Sequence, residues 1–365
     1  MKNNNACERN FADYGKSKLV SVTMRTKLEI LKMDKIIMEH GSGGRATGEL
    51  IREIFEAQFN SDVLSEMEDA AVVPGDATIA MTTDSFVVTP LEFPGGDIGR
   101  LCICGTVNDL CMRGAVPKYI TCGFILEEGA DVETLRRLVK SMAETANEAG
   151  VKIVAGDTKV IEGNGGIYIN TAGVGFVPKG VDIKAKNAAD GDVIIVSGNV
   201  GDHHATVLSQ RMGIKNTIVS DNAPLQEMVG KLTSNNVPVH VLRDVTRGGL
   251  ATVLKELALS SGLTFEINQD AIPVDAQVQS FCGLLGLDPL YMGNEGKMVA
   301  ILPKEYADKA LELIKASKYG ENACVLGEVK TAADETEVGA LVMKTKIGGR
   351  RFLDILQGEG LPRIC

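Results

Sequence analysis

The residues best able to do chemistry here are isolated acids set beside glycines, and one thiol at the last position. Glu68-Asp69, Asp84, Asn108-Asp109 and Asp157 each follow or interrupt an apolar segment. A carboxylate at a strand end suits Mg²⁺, a hard ion that takes oxygen ligands and shares them with phosphates. The same residue types serve equally as helix caps and turn formers. His40-Gly-Ser-Gly-Gly44 stands just before a helical pattern. Gly41, Gly43 and Gly44 therefore leave backbone N–H groups able to form an anion nest at a helix N-terminus. It is not a Walker A loop, since no G-x-x-x-x-G-K-[ST] occurs in the chain. Gly156-Asp157-Thr158-Lys159 adds a cation beside a carboxylate and a hydroxyl, a set suited to stabilising a transferring phosphoryl group. Together these features point to a Mg-nucleotide site. Asp244-Val-Thr-Arg247-Gly-Gly and Asn294-Glu295-Gly-Lys297 remain open to two readings, active-site acids or caps and turns. His203 and His204 are adjacent and so point about 100° apart on a helix, a poor basis for a shared metal.

The chain ends Gly358-Glu-Gly-Leu-Pro-Arg-Ile-Cys365. Eight extended residues reach at most ~25–29 Å, enough to swing from a surface into a cleft or a partner. A thiolate is a nucleophile and a good covalent carrier. Arg363 favours the thiolate form of Cys365, and the α-carboxylate opposes it.

The elements that must position these residues alternate between strand and helix patterns. Ile79–Met81, Phe86–Val88, Val151–Ala155, Ile167–Ala172, Asp192–Val196 and Lys297–Leu302 read as strands. A helical face runs through Leu50, Ile51, Ile54 and Phe55. A second, through Val132, Leu135, Leu138, Val139, Met142 and Ala146, is bounded by Asp131 and Gly150. Further helices fall near 248–260 and 305–316, and Met33 opens a candidate first strand. Pro178, Gly180 and the polar run to Gly191 read as a linker. The expectation is α/β (α+β) in two domains: an extension over 1–32, an N-terminal domain over 33–183, a C-terminal α/β domain over 184–350, and a mobile tail over 351–365.

Composition narrows the function classes. Of 365 residues, 38 are Lys or Arg and 48 Asp or Glu, a net charge of −10, so a nucleic-acid binder with a basic face is excluded. Residues 1–32 run the other way, with seven Lys/Arg against three Asp/Glu. No apolar run is long enough to span a bilayer, and no apolar h-region marks a secretory signal. Eight scattered cysteines show no C-x-x-C pair, which fits a reducing cytoplasm. Cys102 and Cys104, in Leu-Cys-Ile-Cys-Gly, read as small buried hydrophobes rather than metal ligands.

Taken together, His40-Gly-Ser-Gly-Gly, Phe93-Pro-Gly-Gly-Asp-Ile-Gly, Gly105-Thr-Val-Asn-Asp-Leu, Gly156-Asp-Thr-Lys, Val196-Ser-Gly, Gly201-Asp-His, Asn294-Glu-Gly-Lys and Pro362-Arg-Ile-Cys365 occur in an order that closely resembles the HypE family of hydrogenase maturation proteins. The acid and glycine motifs are shared with the wider aminoimidazole ribonucleotide synthetase superfamily, and the Pro-Arg-Ile-Cys terminus is the specific part. His204 departs from the glycine expected after Gly-Asp-His, and residues 1–32 lie outside the resemblance. The resemblance implies a homodimer paired through N-terminal sheets, ATP and Mg²⁺ as cofactors, and ATP-dependent dehydration of an S-carbamoyl group on the C-terminal Cys to a thiocyanate. That group becomes a cyanide ligand of the iron in [NiFe]-hydrogenase. HypF supplies the carbamoyl group and a HypC–HypD complex accepts the cyanide. It further implies Asp69, Asp84, Asp109 and Asp157 as Mg²⁺ ligands, and Gly41, Gly43, Gly44, Asn108, Thr158 and Asp244 as ATP-binding residues. Cys365 is the carrier, Lys159 stabilises the moving phosphoryl charge, and Glu295 takes a proton from the carbamoyl nitrogen. A selenophosphate synthetase or small-molecule kinase of the same superfamily is the alternative and needs no terminal thiol. A selenophosphate synthetase would want a reactive Cys in the Gly-rich loop, whereas Cys7 lies far upstream of it. A non-enzymatic scaffold is the other rival.

Overall fold

The computed structural model describes residues 44–50, 68, 71–73 and 78–357. The candidate strand at Met33 and the apolar face at 50–55 lie outside the described side chains, as do Gly41, Gly43, Asp69 and Cys365.

After a short helix α1 (Arg45–Leu50), the first sheet collects β1 (Ala71–Val73) and β2 (Ile79–Phe86). A small hairpin of β3 (Glu92–Phe93) and β4 (Gly96–Asp97) leads into α2 (Ile98–Met112). Then follow β5 (Val116–Glu127), α3 (Val132–Ala149), β6 (Lys152–Ile161) and β7 (Ile167–Phe176). The sheet order is β1-β2-β7-β5-β6, with only the β5–β6 pair parallel. Asp97 caps α2 by accepting from the Arg100 N–H at 2.9 Å. In α3, Asp131 caps the start and Gly150, at φ 69°, supplies the left-handed stop.

The second unit runs β8 (Asp192–Val196), α4 (Asp202–Arg211), α5 (Gln226–Ser234), β9 (Val241–Asp244), α6 (Gly249–Ser261), β10 (Thr264–Asn268), α7 (Ala276–Leu285), β11 (Met298–Pro303), α8 (Ala307–Lys315), β12 (Cys324–Lys330), β13 (Leu341–Lys344) and β14 (Arg350–Leu353). Its sheet order is β14-β13-β10-β12-β8-β11-β9, with β10–β13 the parallel pair. The architecture is a two-domain mixed α/β fold.

Helix α2 joins the two. It packs on β2, β5 and β7 on one side and on β9 and α5 on the other. Leu101, Cys102, Ile103, Cys104, Val107 and Leu110 are all fully buried, the pattern of a helix covered on every side. One apolar cluster accordingly runs from Phe86, Leu101 and Val107 into Val193, Leu242 and Met298.

Two expectations change. The stretch read as a linker is packed rather than loose: Ile183 and Ala185 are buried, Arg113 Nε donates to the Ile183 carbonyl at 2.9 Å, and the Ala185 N–H donates to Glu68 Oε1 at 2.8 Å. Residues 351–353, expected in the tail, belong instead to the edge strand Arg350–Leu353, paired antiparallel with Leu341–Lys344.

Candidate active site at the seam between the sheets

The inner face of β2 carries Ala80, Thr82, Asp84 and Phe86 toward α2, while Met81, Thr83 and Ser85 face outward. Thr82 Oγ1 donates to Asp109 Oδ2 at 2.7 Å, which fixes the Asp109 carboxylate on α2. One turn earlier on α2, a Cβ on Gly105 would lie 3.5 Å from Asp84 Oδ2. The closer neighbour of that Cβ is the Phe86 ring, at 3.0 Å, so glycine there leaves room for the ring that packs beside Asp84.

From the other unit, β9 ends on the buried Asp244, and Glu295 lies in the turn before β11. These acids sense one another. Burial raises the Glu295 pKa well above the usual carboxylate range, and the charges of Asp244, Asp84 and Asp221 raise it further, with Arg247 opposing. Burial likewise raises Asp84, against the Ser85 N–H and Arg247. Asp244 is raised by burial and by Asp84, against Arg243 and Arg247. Glu295 Oε1 is buried with no hydrogen-bond partner among the described residues. Asp244 and Glu295 thus behave as neither caps nor turn acids: they are buried carboxyls facing Asp84 across the seam, with Arg247 the opposing cation.

Asn108 sits behind this group. Its amide donates to the Ala223 carbonyl at 3.1 Å and lies 3.5 Å from the Glu295 carbonyl, while its oxygen accepts from the Leu225 N–H at 2.8 Å. The carboxamide is thereby engaged with backbone of the second unit. Gly44, at φ 81°, has the Leu356 carbonyl where a Cβ would stand, 2.6 Å away. Leu356 N–H donates to Thr252 Oγ1 at 3.2 Å, and Thr252 packs against Gly248 beside Arg247. The last described residues of the chain therefore run past the end of the Gly-rich loop and the start of α6.

Asp157, Thr158 and Lys159 lie on the edge strand β6, level with Gly123, Phe124 and Ile125 of β5. Asp84 is level instead with Thr171, Cys122 and Gly156. Lys159 is exposed and shares its register with the exposed, outward Ile125, so the sheet separates it from the Asp84–Asp244–Glu295 group. The side chains of Asp157 and Thr158 are outside the described set. Among the described residues no group of three or more His, Cys, Asp or Glu is close enough to hold a metal ion by itself. His203 and His204 do diverge on α4: His203 Nδ1 pairs with Ser220 Oγ at 2.8 Å, and His204 Nδ1 accepts from the Gly293 N–H at 3.4 Å. The residue-level reading gave no role to Arg247 or Asp221. Arg247 stood in a motif already singled out, whereas Ser220-Asp221-Asn222 looks like any polar loop.

The chain matches the AIR synthase related protein N-terminal domain over residues 67–177 and the corresponding C-terminal domain over 189–339. The two units of the fold thus correspond to the two domains of an AIR synthase related protein. Carbamoyl dehydratase HypE of Cupriavidus necator is 47% identical over 341 residues, covering 92% of this chain and 96% of the relative. A solved HypE in complex with ATP has a TM-score of 0.77 at 45% identity, covering 91% of this chain and all of that one. A HypE–HypF complex gives 0.79 at 45% identity, covering 84% and 99%. The chain belongs to the HypE family of carbamoyl dehydratases in hydrogenase maturation. No helix among the described residues is long and apolar enough to cross a membrane.

Proposed function

We propose that this protein binds ATP at the seam and dehydrates an S-carbamoyl group on Cys365 to a thiocyanate. One observation carries the reading: the root of the C-terminal segment, at Leu356, lies against Gly44 of the Gly-rich loop and beside the turn that carries Arg247. The nine further residues reach at most ~30–32 Å, so a thiol at position 365 has the length to enter the acid group and leave it again.

The chemistry follows from the carbamoyl group. Its oxygen is a poor leaving group, so it attacks the γ-phosphorus of ATP and ADP departs. The nitrogen then loses a proton to Glu295, the C–O bond breaks, phosphate leaves, and loss of the second nitrogen proton completes the C≡N bond. A buried carboxyl of raised proton affinity is a stronger base, once ionised, than a solvated one. Buried carboxyls that raise one another's pKa favour a nearby cation, so Mg²⁺ fits these donors. Asp84 and Asp109, with Asp69, would hold it jointly with phosphate oxygens, Asp157 joining as Lys159 does from the partner's copy, and it would supply charge neutralisation there. Gly41, Gly43, Gly44, Thr158 and Asp244 line the nucleotide site, with Asn108 assisting from behind the seam.

Support for a homodimer is the outward face of the first sheet, where Met81, Tyr119 and Phe176 are exposed at neighbouring registers and Ile125 is exposed farther along the same face, an apolar surface that a second copy would cover. Lys159 stands on that face. Because β6 is the edge strand of its sheet, Lys159 would reach the phosphoryl group in the partner's site around that edge rather than through the sheet. A HypF-type carbamoyltransferase loads Cys365, a HypC–HypD-type complex removes the cyanide, and the cytoplasm is the compartment.

The test is the mass of the C-terminal peptide after incubation with the carbamoyltransferase, carbamoyl phosphate and ATP. The expected product is a carbamoyl adduct on Cys365 that loses one water only with hydrolysable ATP. An unmodified Cys365 beside an active carbamoyltransferase overturns the reading.

A further inference from the structure

We propose that Asp221 is a positioning residue that aims Glu295. The inference rests on Glu295 acting as the base. Asp221 Oδ1 accepts from the Glu295 N–H at 3.1 Å, and Oδ2 accepts from the Gly296 N–H at 3.2 Å. Lys297 Nζ lies 3.7 Å from Oδ2, and both side chains are nearly buried. The Ala223 N–H donates to the Glu295 carbonyl at 3.3 Å. Both backbone polar groups of Glu295 are therefore held by residues 221–223, and only its carboxyl is left to act. The fit is tight: a Cβ on Gly296 would stand 1.9 Å from the Asp221 carbonyl.

The strap that carries Asp221 is fixed from both units. The Ser220 N–H donates to the Pro94 carbonyl at 2.9 Å, Ser220 Oγ meets His203 Nδ1, and the Asn222 N–H donates to Ser220 Oγ at 3.1 Å. Arg100 Nε donates to the Asn222 carbonyl at 3.0 Å, and Asn108 accepts from the Leu225 N–H. Gly95 and Gly96 leave the room: a Cβ on Gly95 would lie 2.6 Å from the Ser220 carbonyl, and one on Gly96 2.9 Å from Asn222 Nδ2. This gives a purpose to the Phe93-Pro-Gly-Gly-Asp97 and Gly201-Asp-His203 motifs. They brace the strap, and the strap aims the base.

The experiment is single-turnover dehydration of the carbamoylated full-length protein. Misplacing a reacting group by about 1 Å costs on the order of 100-fold. Asp221→Asn, which keeps one acceptor but loses the other and the charge, is expected to slow the step by at least about tenfold while the KM for ATP and the thermal midpoint hold. Ser220→Ala loosens the same strap without touching the 295–297 turn, and is expected to slow the step by less than Asp221→Asn does. Should Asp221→Asn unfold, Asp221→Glu keeps both acceptors, retains the fold and still slows the step by displacing the turn. A parental rate in a folded Asp221 variant, with Glu295→Gln inactive, overturns the positioning role alone. A parental rate in Glu295→Gln overturns the base and with it this inference.

Discussion

Several carboxyls in this protein hold a proton more tightly than a solvated acid does, and burial is the first cause at each. Asp202 is pushed up to about 7 by burial and then by the charge of Asp221, with Lys297 opposing. The unfolded chain releases that proton near pH 3.8, the ordinary value for Asp. Between those values the folded state holds the extra proton, so stability falls as pH rises from about 4 to about 7 and stays lowered above that. Each tenfold change in proton affinity is worth about 1.4 kcal/mol. Asp202→Asn should therefore be more stable than the parent by over about 1 kcal/mol at pH 8, a gain that shrinks toward nothing at pH 4. Urea titrations at the two pH values decide it: an equal gain at both would mean that the carboxyl's charge is not what costs stability. Glu148 shows the opposite balance. Burial alone would raise it, but hydrogen bonds from Lys318, Tyr319 and Arg100 outweigh that and bring it down to about 2.

At the scale of elements, α2 decides how the two units meet, and its first turn can be probed at two adjacent positions. Asp97→Ala removes the cap on the Arg100 N–H and should cost about 1 kcal/mol. Gly99→Ala should cost more, up to about 3 kcal/mol, because its Cβ would stand 2.3 Å from the Leu138 carbonyl on α3. The reverse order in a denaturant series would mean that α2 and α3 are not held at backbone contact. The same helix explains what the sequence hid. Helix α3 was legible because one face is wet, so Asp131, Gly150 and the stripe between them stand out. Helix α2 is buried all round and shows no period, and its Cys-Ile-Cys core reads only as apolar. Strand β2 looked like two pieces because Thr82 and Asp84 interrupt its inward face, which is the face the site uses. β14 was mistaken for tail since three of its four residues are exposed. The isolated acids were legible one by one. Their convergence was not, because Asp244 and Glu295 reach Asp84 only through the packing of the second sheet on α2. Asp221 was illegible for a similar reason: its partners are backbone groups 74 and 75 positions away.

At the scale of the whole molecule the sheet has two faces with two tasks. The inner face, against α2, holds Asp84 and meets Asp244 and Glu295, while the outer face exposes Met81, Tyr119, Ile125 and Phe176 together with Lys159. If two copies pair through the outer faces, a carboxylate placed there is buried unpaired in the dimer, at a cost of several kcal/mol. Tyr119→Asp should then weaken association by at least about 100-fold, since each tenfold is about 1.4 kcal/mol. Sedimentation would show the mass falling from twice 38.8 kDa to 38.8 kDa; an unchanged dimer would put the interface elsewhere. Such pairing would also divide the proposed catalytic set between chains, with Lys159 from one copy and Glu295 from the other. Lys159→Ala and Glu295→Gln are each expected to be inactive alone. Mixed in equal amounts and allowed to exchange subunits, about half the dimers become mixed, each with one intact site, and dehydration returns to roughly a quarter of the parent's rate. Were both residues drawn from one chain, every site in the mixture would lack one of them, and no activity would return.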